Sequence, residues 1–399
     1  IGERSSAIAV QTGVELRIGR IAVRSTSKDR GLPIDESLLT TDAEALVNDP
    51  DIDVIVEVIG GIEPARSLIL TALKNGKPVI TANKELLANV GAELYAAAAG
   101  NGVDLLFEAA AAGAIPIVRP LRESLLGEDI RRVMGIVNGT TNYILTRMTD
   151  DGVSYSDALS EAQRLGYAER DPTADVEGYD AGAKAAIMAS IAFGANVVAG
   201  DVYHEGISAI TQGDIEFARQ FEYTINPDGQ AEIGVRVYPA MVPNDHPLAS
   251  VRGSFNAVFV EGEAAGEMMF YGRGAGGLPT ASAVLGDLVD AATNLRRGTH
   301  RPVPFGPRAK IRSIDGLESA YYVGVTVLDS PGVLSTVAGV FGENNVSIRA
   351  MQQQGSGEAA TVAFITHTAN ERDVQATLTG LRGLEEVSDI HSVLRVIGS

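Results

Sequence analysis

The chain has 399 residues and no cysteine, and its 32 basic and 51 acidic side chains give a formal net charge of −19. This length exceeds what one hydrophobic core organises, so two or three domains are expected. The lack of cysteine excludes disulfides, thiolate metal sites and a cysteine nucleophile. The acidity argues against nucleic-acid binding, which needs clustered Lys and Arg. With no membrane-length apolar run and no secretory leader, we predict a cytoplasmic protein without membrane contact.

Strand-like and helix-like segments alternate in the first third of the chain. In chain order they are strand Leu16–Val23, helix Asp42–Asn48, strand Asp53–Ile59, helix Ala65–Asn75, strand Pro78–Thr81, helix Lys84–Ala99 and strand Asp104–Glu108. Val- and Ile-rich strands between helices indicate a parallel sheet with both faces covered. We therefore predict an α/β fold whose first domain, residues 1–137, is a Rossmann-type doubly wound parallel sheet for a dinucleotide.

The rest of the chain predicts two further domains. Residues 138–271 have mixed helix and strand patterns and are predicted to form a substrate-binding and dimerisation domain, while residues 272–313 are predicted to return to the first domain. Residues 318–399 follow the order strand, helix, strand, strand, helix, strand. That order predicts a C-terminal ferredoxin-like domain.

An acidic segment with one lysine carries the strongest chemical signal. Five acidic residues precede Lys184 in the stretch Gly166–Lys184. Asp180 and Lys184 are four residues apart and share a helix face, which continues apolar through Ile187 and therefore points inward. A buried lysine beside carboxylates can serve as a general acid or base. The plainer alternative is an acidic helix start with an ordinary ion pair, and the pattern alone favours it.

Five stretches, in the same order along nearly the whole chain, resemble the homoserine dehydrogenase family. They are Thr81–Glu85, Glu108–Pro116, Asn138–Asn142, Gly166–Lys184 and Gly272–Gly276. In the stretch Asn138–Asn142 a Thr or Asn is also expected to cap the helix that follows. The resemblance implies NAD(P)-dependent interconversion of L-aspartate 4-semialdehyde and L-homoserine in threonine and methionine biosynthesis. The alternatives are another semialdehyde or hydroxy-acid dehydrogenase on the same scaffold, and a non-catalytic amino-acid sensor.

The resemblance also implies roles for individual side chains. Lys184 corresponds to the family's proton donor, and Lys84 to a second lysine that faces the substrate and the nicotinamide. Glu169 and Asp180 correspond to substrate-binding residues, and Asp175 lies in the same site. These roles are chemically coherent, because a lysine stabilises the alkoxide that hydride addition creates. Carboxylates opposite an ammonium group select an amino-acid aldehyde.

The predicted cofactor is NADP or NAD. Arg24 follows the second strand of the expected fold, where arginine suits the 2′-phosphate of NADP, although a solvated basic loop is the alternative. Gly60 and Gly61 follow a strand and would let the backbone approach the dinucleotide. The resemblance adds further cofactor positions, of which the glycines are equally compatible with ordinary turns: Thr81, Asn83, Lys84, Gly166, Gly274 and Gly276.

Two irregularities concern continuity. The chain opens at Ile1-Gly2-Glu3 without the strand and G-x-G-x-x-G turn that a dinucleotide fold places first. We expect that the start is missing from the sequence, because a sheet without its central strand leaves its neighbours unpaired. The helical pattern also stops abruptly between Ile225 and Asn226, which suggests that non-contiguous segments are joined there.

A cation site and a regulatory domain complete the expectations. Glu108, with the backbone carbonyls of Ala111, Gly113 and Ile115, resembles the family's monovalent-cation site, usually sodium, although such a loop can also bind no ion. The stretch Asp329–Ile348 resembles an ACT domain, which binds an amino-acid effector near its first turn. Threonine, the pathway's end product, is the implied effector, and a structural dimerisation domain is the alternative. We expect a homodimer or homotetramer.

Overall fold

The structure is a computed structural model that describes residues 1–211, 213–215, 233–303, 306–355, 357 and 359–397. The chain forms two compact units. The first comprises Ile1–Gly127, Ala186–Gly200 and Arg273–Arg308, and the second Glu128–Ala185, Asp201–Gly272 and Ala309–Ser399. The predicted irregularity at Ile225 lies outside the described residues. Within the described ranges, no helix combines the length and apolar character needed to cross a bilayer.

Helices and strands alternate through both units. The α-helices are α1 (Ser5–Thr12), α2 (Ala43–Asn48), α3 (Ala65–Lys74), α4 (Lys84–Asn101), α5 (Glu108–Ala112), α6 (Gly139–Asp151), α7 (Tyr155–Arg164), α8 (Thr173–Val176), α9 (Tyr179–Ala192), α10 (Gly277–Arg297), α11 (Val333–Glu343) and α12 (Glu371–Arg382). A short π-helix covers Pro120–Ser124. Short 3₁₀ helices cover Glu36–Leu38, Ala199–Asp201, Pro247–Ser250 and Ile314–Gly316.

The strands are mostly short in the first unit and longer in the second. They are β1 (Ile21–Ala22), β2 (Leu39–Thr40), β3 (Ile55–Glu57), β4 (Val79–Thr81), β5 (Leu105–Leu106), β6 (Ile130–Ile136), β7 (Tyr203–His204), β8 (Arg236–Val237), β9 (Ala240–Met241), β10 (Phe255–Gly262), β11 (Gly266–Arg273), β12 (Glu318–Leu328), β13 (Ile348–Gln354), β14 (Ala359–Thr366), β15 (Ala369–Asn370) and β16 (Val387–Val396).

The first unit contains the predicted parallel β-structure. β1 pairs with β2, and β3, β4 and β5 form a second sheet in that order, with parallel pairing throughout. β4 is buried along its whole length, as a strand covered on both faces should be. Helix α10 belongs to this unit, where its Leu288 packs with Ile80 and Leu106 of the sheet. The predicted α/β fold class is confirmed.

The second unit contains an antiparallel sheet in the order β11–β10–β6. β6 pairs with β10, so that Val258 lies opposite Gly135. This strand was not predicted, because Ile-Arg-Arg-Val-Met-Gly-Ile lacks both a continuous apolar run and strict alternation. β6 leads directly to Asn138, the N-cap of α6, and so positions the start of that helix.

The C-terminal sheet has the predicted ferredoxin-like strand order, β13–β14–β12–β16. Its two faces belong to different cores. One face packs on α11 and α12, including Val337 and Leu378. The other packs on the middle region of the same unit, where Tyr322 and Leu394 meet Ile144 of α6. β9 of the middle region also extends this sheet by pairing in parallel with β16.

Candidate active site

Lys184 is buried on α9, with 9% of the residue exposed. Its Nζ donates a hydrogen bond of 2.7 Å to Oδ2 of Asp180 and another of 2.7 Å to the carbonyl oxygen of Val137. The predicted Asp180–Lys184 pair is therefore present, with both side chains 11% exposed. An ammonium group has three N–H donors. Two of them are used by these described contacts, which leaves one for a further acceptor.

Asn138 joins the two aspartates of the segment. Its Nδ2 donates to Oδ1 of Asp175 at 2.7 Å and to Oδ2 of Asp180 at 3.0 Å. Its Oδ1 accepts from the amide of Thr141 at 2.9 Å and so caps α6. The sequence analysis recognised only the capping signal. The structure shows that the same side chain holds together two carboxylates that are five residues apart in the chain.

The electrostatic balance of this cluster leaves one excess negative charge. Burial raises the pKa of Asp175 above its ordinary value, and the neighbouring Asp180 raises it further. The hydrogen bond from Asn138 and the charge of Lys184 oppose that rise. Two carboxylates and one ammonium thus face one another in a partly desolvated place. A second cation, such as a substrate ammonium, would complete the charge balance.

Glu169 lies outside this hydrogen-bonded cluster. It is exposed, and its backbone carbonyl accepts a 3.1 Å hydrogen bond from Nε2 of Gln163. Its loop is nevertheless tied to the start of α6, because Oγ1 of Thr140 donates to the carbonyl of Tyr167 at 2.7 Å. Gly166 begins the loop with a φ of +77°, a conformation that favours glycine.

A glycine turn at the carboxyl end of β3 is stabilised by hydrogen bonds to the buried Glu57 carboxylate. The Glu57 carboxylate accepts from the amides of Ile59 at 2.6 Å and Gly60 at 3.2 Å, and from Oγ1 of Thr81 at 2.6 Å. Gly60 and Gly61 have φ values of +80° and +72°. A Cβ added at either glycine would meet open space. The turn is therefore an exposed, preorganised backbone surface, and Glu57 is a supporting residue that the sequence analysis missed.

The side chain of Asn83 stabilises the same turn at Gly61. Its Nδ2 donates to the carbonyl of Gly61 at 2.7 Å, and its Oδ1 accepts from the amide of Leu86 at 3.1 Å to cap α4. Lys84 is the first residue of that helix and is half-buried. Arg24 lies two residues beyond β1 and is exposed, at the start of a loop in which Arg30 donates to the carbonyl of Ser25 at 2.7 Å.

The predicted cation loop is built around the Glu108 carboxylate, which is 5% exposed as a residue. It accepts three backbone hydrogen bonds of 2.6–2.9 Å, from the amides of Ile117, Val118 and Arg119. Within the same unit, a Cβ on Gly113 would lie 2.2 Å from the carbonyl oxygen of Gly274. Gly113 is therefore explained by close backbone contact and by its φ of +62°. Gly276 has a φ of +116° and stands before α10.

Comparisons with known proteins agree along the whole chain. Residues 116–289 match the homoserine dehydrogenase family, residues 3–108 its NAD-binding domain and residues 321–386 the ACT domain. The homoserine dehydrogenase of Mycobacterium tuberculosis is 49% identical over 415 residues, with 98% of this chain and 92% of the relative covered. A homoserine dehydrogenase structure from Thiobacillus denitrificans has a TM-score of 0.92 at 39% identity, covering 99% of this chain and 93% of that one.

The chain belongs to the homoserine dehydrogenase family. This confirms the resemblance on which the sequence analysis depended, including the C-terminal ACT domain. A hyperthermophilic archaeal homoserine dehydrogenase in complex with NADPH is similar over 63% of this chain and 74% of its own, with a TM-score of 0.53 and 31% identity. As a member of this family the protein is an oxidoreductase with a nicotinamide nucleotide cofactor.

The raised pKa of Asp175 gives a first prediction about the stability of this protein. Because its folded pKa lies above its unfolded value, stability falls as the pH rises from the unfolded pKa to the folded pKa, and it stays lower at higher pH. Asp175→Asn removes that charge, so we expect a higher thermal midpoint than wild type at pH 7 and a smaller gain at pH 4. Differential scanning calorimetry at both pH values measures this, with Asp53→Asn at an exposed position before β3 as the control. Equal gains at both pH values would contradict the assignment.

Proposed function

We propose that the chain interconverts L-aspartate 4-semialdehyde and L-homoserine in threonine and methionine biosynthesis, with Lys184 as the proton donor and acceptor. The observation that carries this proposal is the buried Lys184 ammonium beside Asp180 and Asp175. The group is positioned by two acceptors and keeps one N–H for a substrate oxygen. This is the arrangement that a carbonyl reduction requires at the oxygen atom.

The chemistry divides between the cofactor and the protein. A bound nicotinamide nucleotide supplies or accepts the hydride. Lys184 hydrogen-bonds the carbonyl oxygen of the aldehyde and transfers a proton from Nζ as negative charge develops there; in the oxidation direction Nζ accepts the hydroxyl proton instead. Asp180 and the Val137 carbonyl keep Nζ in place during the transfer. Lys84, at the start of α4, is proposed as the second lysine that faces substrate and nicotinamide.

Substrate selection is proposed to rest on the acidic residues. Asp175 and Asp180 carry one negative charge more than Lys184 neutralises, so the substrate ammonium restores the balance. Glu169, on the exposed loop tied to Thr140, is proposed to close on the bound substrate. An aldehyde without an amino group cannot make this contact with the carboxylates. Comparing the two kinds of aldehyde therefore separates this function from that of a general semialdehyde dehydrogenase.

Removing the Lys184 ammonium tests the catalytic role. Lys184→Met should lower kcat for L-homoserine oxidation by about 10²- to 10⁴-fold, the usual contribution of general acid–base catalysis, and should change KM much less. Nicotinamide absorbance gives both constants. The control is Lys74→Met at an exposed position in the last turn of α3, which should behave like wild type. A Lys184→Met enzyme that works at the wild-type rate would refute the assignment.

The proposed cofactor preference is NADP over NAD. The Gly60–Gly61 turn supplies an open backbone surface, and Thr81 and Asn83 hold it in place. Gly166, Gly274 and Gly276 are proposed as further cofactor contacts from the family pattern. Exposed Arg24 is proposed to pair with the 2′-phosphate, which only NADP carries.

The preference is tested at Arg24. Arg24→Ala should raise KM for NADP by about 10-fold or more, as expected for the loss of a hydrogen-bonded charge, and should leave KM for NAD nearly unchanged. Arg17→Ala, another exposed arginine of the same region, is the control. If Arg24→Ala raises KM for NADP and for NAD equally, or raises neither, Arg24 does not bind the 2′-phosphate.

A sodium site is proposed at the loop after α5. No hydrogen bond between described residues ends on the carbonyl oxygens of Ala111, Gly113 or Ile115, so these hard oxygen atoms are open to a cation. Glu108 supplies the nearby negative charge and holds the loop through its three amide contacts. In this proposal the cation stabilises the loop and takes no part in proton transfer.

The C-terminal domain is proposed to bind threonine as a feedback inhibitor. The turn before α11 contains Gly332 with a φ of +96°, and Gln353 of β13 donates to Asp329 at 3.3 Å across it. Backbone amides at the start of α11 suit a carboxylate ligand. We further propose a cytoplasmic homodimer or homotetramer, assembled through the domain that contains β6, β10 and β11. Met269 and Tyr271 of β11 are exposed apolar side chains, at 39% and 52%.

A threonine titration tests the regulation. Threonine should lower wild-type activity, and Gly332→Ala should weaken this inhibition because a side chain is strained at the positive φ of this turn. Gly339→Ala, in α11 with open space around its Cβ position, is the matched control and should keep the wild-type response. Absence of both inhibition and heat of binding in the wild-type enzyme would remove threonine as the effector.

A further inference from the structure

A buried arginine in the last strand of the C-terminal sheet pairs with two acids from different parts of the second unit. The Arg395 side chain is 4% exposed. Its Nη2 and Nε donate to Oε2 of Glu371, at 2.6 and 3.2 Å, and its Nη1 donates to Oε1 of Glu205 at 2.6 Å. Glu371 begins α12 of the C-terminal domain, whereas Glu205 directly follows β7 of the middle region.

Aromatic rings enclose this triad. The guanidinium carbon lies 4.9 Å from the ring centroid of Tyr238 and 5.7 Å from that of Tyr321, within cation–π distance. Burial works against the charge of Arg395, but the two glutamates outweigh it and raise the pKa of the guanidinium. Burial likewise opposes the charge of Glu371, whose pKa is nevertheless lowered by Arg395. Arg395 and Glu371 therefore remain a charged pair despite their burial.

Charge balance does not require Glu205. Glu371, with its side chain 3% exposed, already neutralises Arg395 through two hydrogen bonds. Glu205 is 29% exposed and adds a second negative charge. Buried ion pairs are weak evidence of stabilisation, because desolvation offsets the Coulomb attraction, and some of them serve to fix a geometry instead. The question is then which geometry the Arg395–Glu205 contact fixes.

The residues after Glu205 are bonded to the segment between the two site aspartates. The amide of Ile207 donates to the carbonyl of Val176 at 2.9 Å, and Oγ of Ser208 donates to Oε1 of Glu177 at 2.9 Å. The backbone is so close that a Cβ on Gly206 would lie 2.7 Å from the Val176 carbonyl oxygen. Val176 and Glu177 come directly after Asp175 and precede Asp180 by only a few residues.

We propose that Arg395 is a positioning residue for the substrate-binding aspartates. By holding Glu205 it fixes the segment after β7 that carries Gly206 and Ile207, and that segment fixes the end of α8 at Val176, between Asp175 and Asp180. The proposal rests on the substrate-binding role proposed above for these carboxylates. It makes the last strand of the C-terminal sheet part of the substrate site's support, although Arg395 touches neither aspartate.

Glu205→Ala is the decisive variant, because Arg395 keeps its partner Glu371 and no buried charge is left alone. KM for L-homoserine should rise on the order of 3- to 10-fold, the usual scale for mutations along a coupling network. We expect kcat within about twofold of wild type and an unchanged KM for the nicotinamide nucleotide, since only the placement of the aspartates is altered. The amide of Ile207 should also exchange faster with deuterated solvent.

Arg395→Met removes the same contact by changing its other partner. Together with Glu205→Ala it completes a double-mutant cycle. If the link acts through this pair, the double variant should raise KM no more than the single variants do. Arg236→Met is the matched control, because Arg236 lies over Tyr238 and donates to Ser319 without contacting Glu205. It should leave KM for L-homoserine unchanged.

The outcomes separate this inference from the proposed function. A folded Glu205→Ala enzyme with wild-type KM, or a cycle with additive effects, overturns the positioning role while homoserine oxidation by the wild-type protein stands. A wild-type protein that does not oxidise homoserine overturns the proposed function itself. Should Arg395→Met fail to fold, Glu205→Ala and the weaker Glu205→Gln, which retains a polar side chain, decide the matter.

Discussion

Burial of the Lys184 ammonium constrains the structure around it. A desolvated cation needs acceptors at short range, and here they are a carboxylate one helical turn away and the carbonyl of Val137, immediately before α6. Asn138 then follows, capping α6 with one side-chain atom and linking Asp175 to Asp180 with the other. The end of β6, the start of α6 and the segment from Asp175 to Asp180 therefore have to lie close together. The proton transfer and ammonium recognition proposed above both depend on that arrangement.

The C-terminal sheet belongs physically to the unit that holds these residues. One of its faces shares a core with α6 and α7, and its edge is extended by β9. A sheet with one face on its own helices and the other on the middle region of the unit cannot shift without disturbing one of two close-packed cores. An effector bound to the ACT domain would therefore act on a continuous structure. The Arg395–Glu205 contact is one polar connection within it.

Local features of this fold could be predicted from the sequence, and features that depend on distant residues could not. The Asp180–Lys184 pair follows from helical spacing alone, and the order of the C-terminal elements follows from their periodicity. Asn138 gave only its capping signal, because its contact with Asp175 crosses 37 residues. Glu57 lies in an otherwise apolar strand, and the sequence pattern does not single it out. It accepts hydrogen bonds from Gly60 and Thr81, and the contact with Thr81 forms only because β3 and β4 are paired. The positions of Lys84 and Arg24 relative to a substrate remain predictions.

The central claim is that Nζ of Lys184 meets the substrate oxygen at which charge develops. A crystal structure of the protein with a nicotinamide nucleotide and L-homoserine tests it most directly. We expect the homoserine hydroxyl oxygen within hydrogen-bonding distance of Nζ, about 2.6–3.2 Å, with the ammonium of homoserine between Asp175 and Asp180. A complex in which homoserine binds elsewhere, and Lys184 contacts only Asp180 and Val137, would contradict the account.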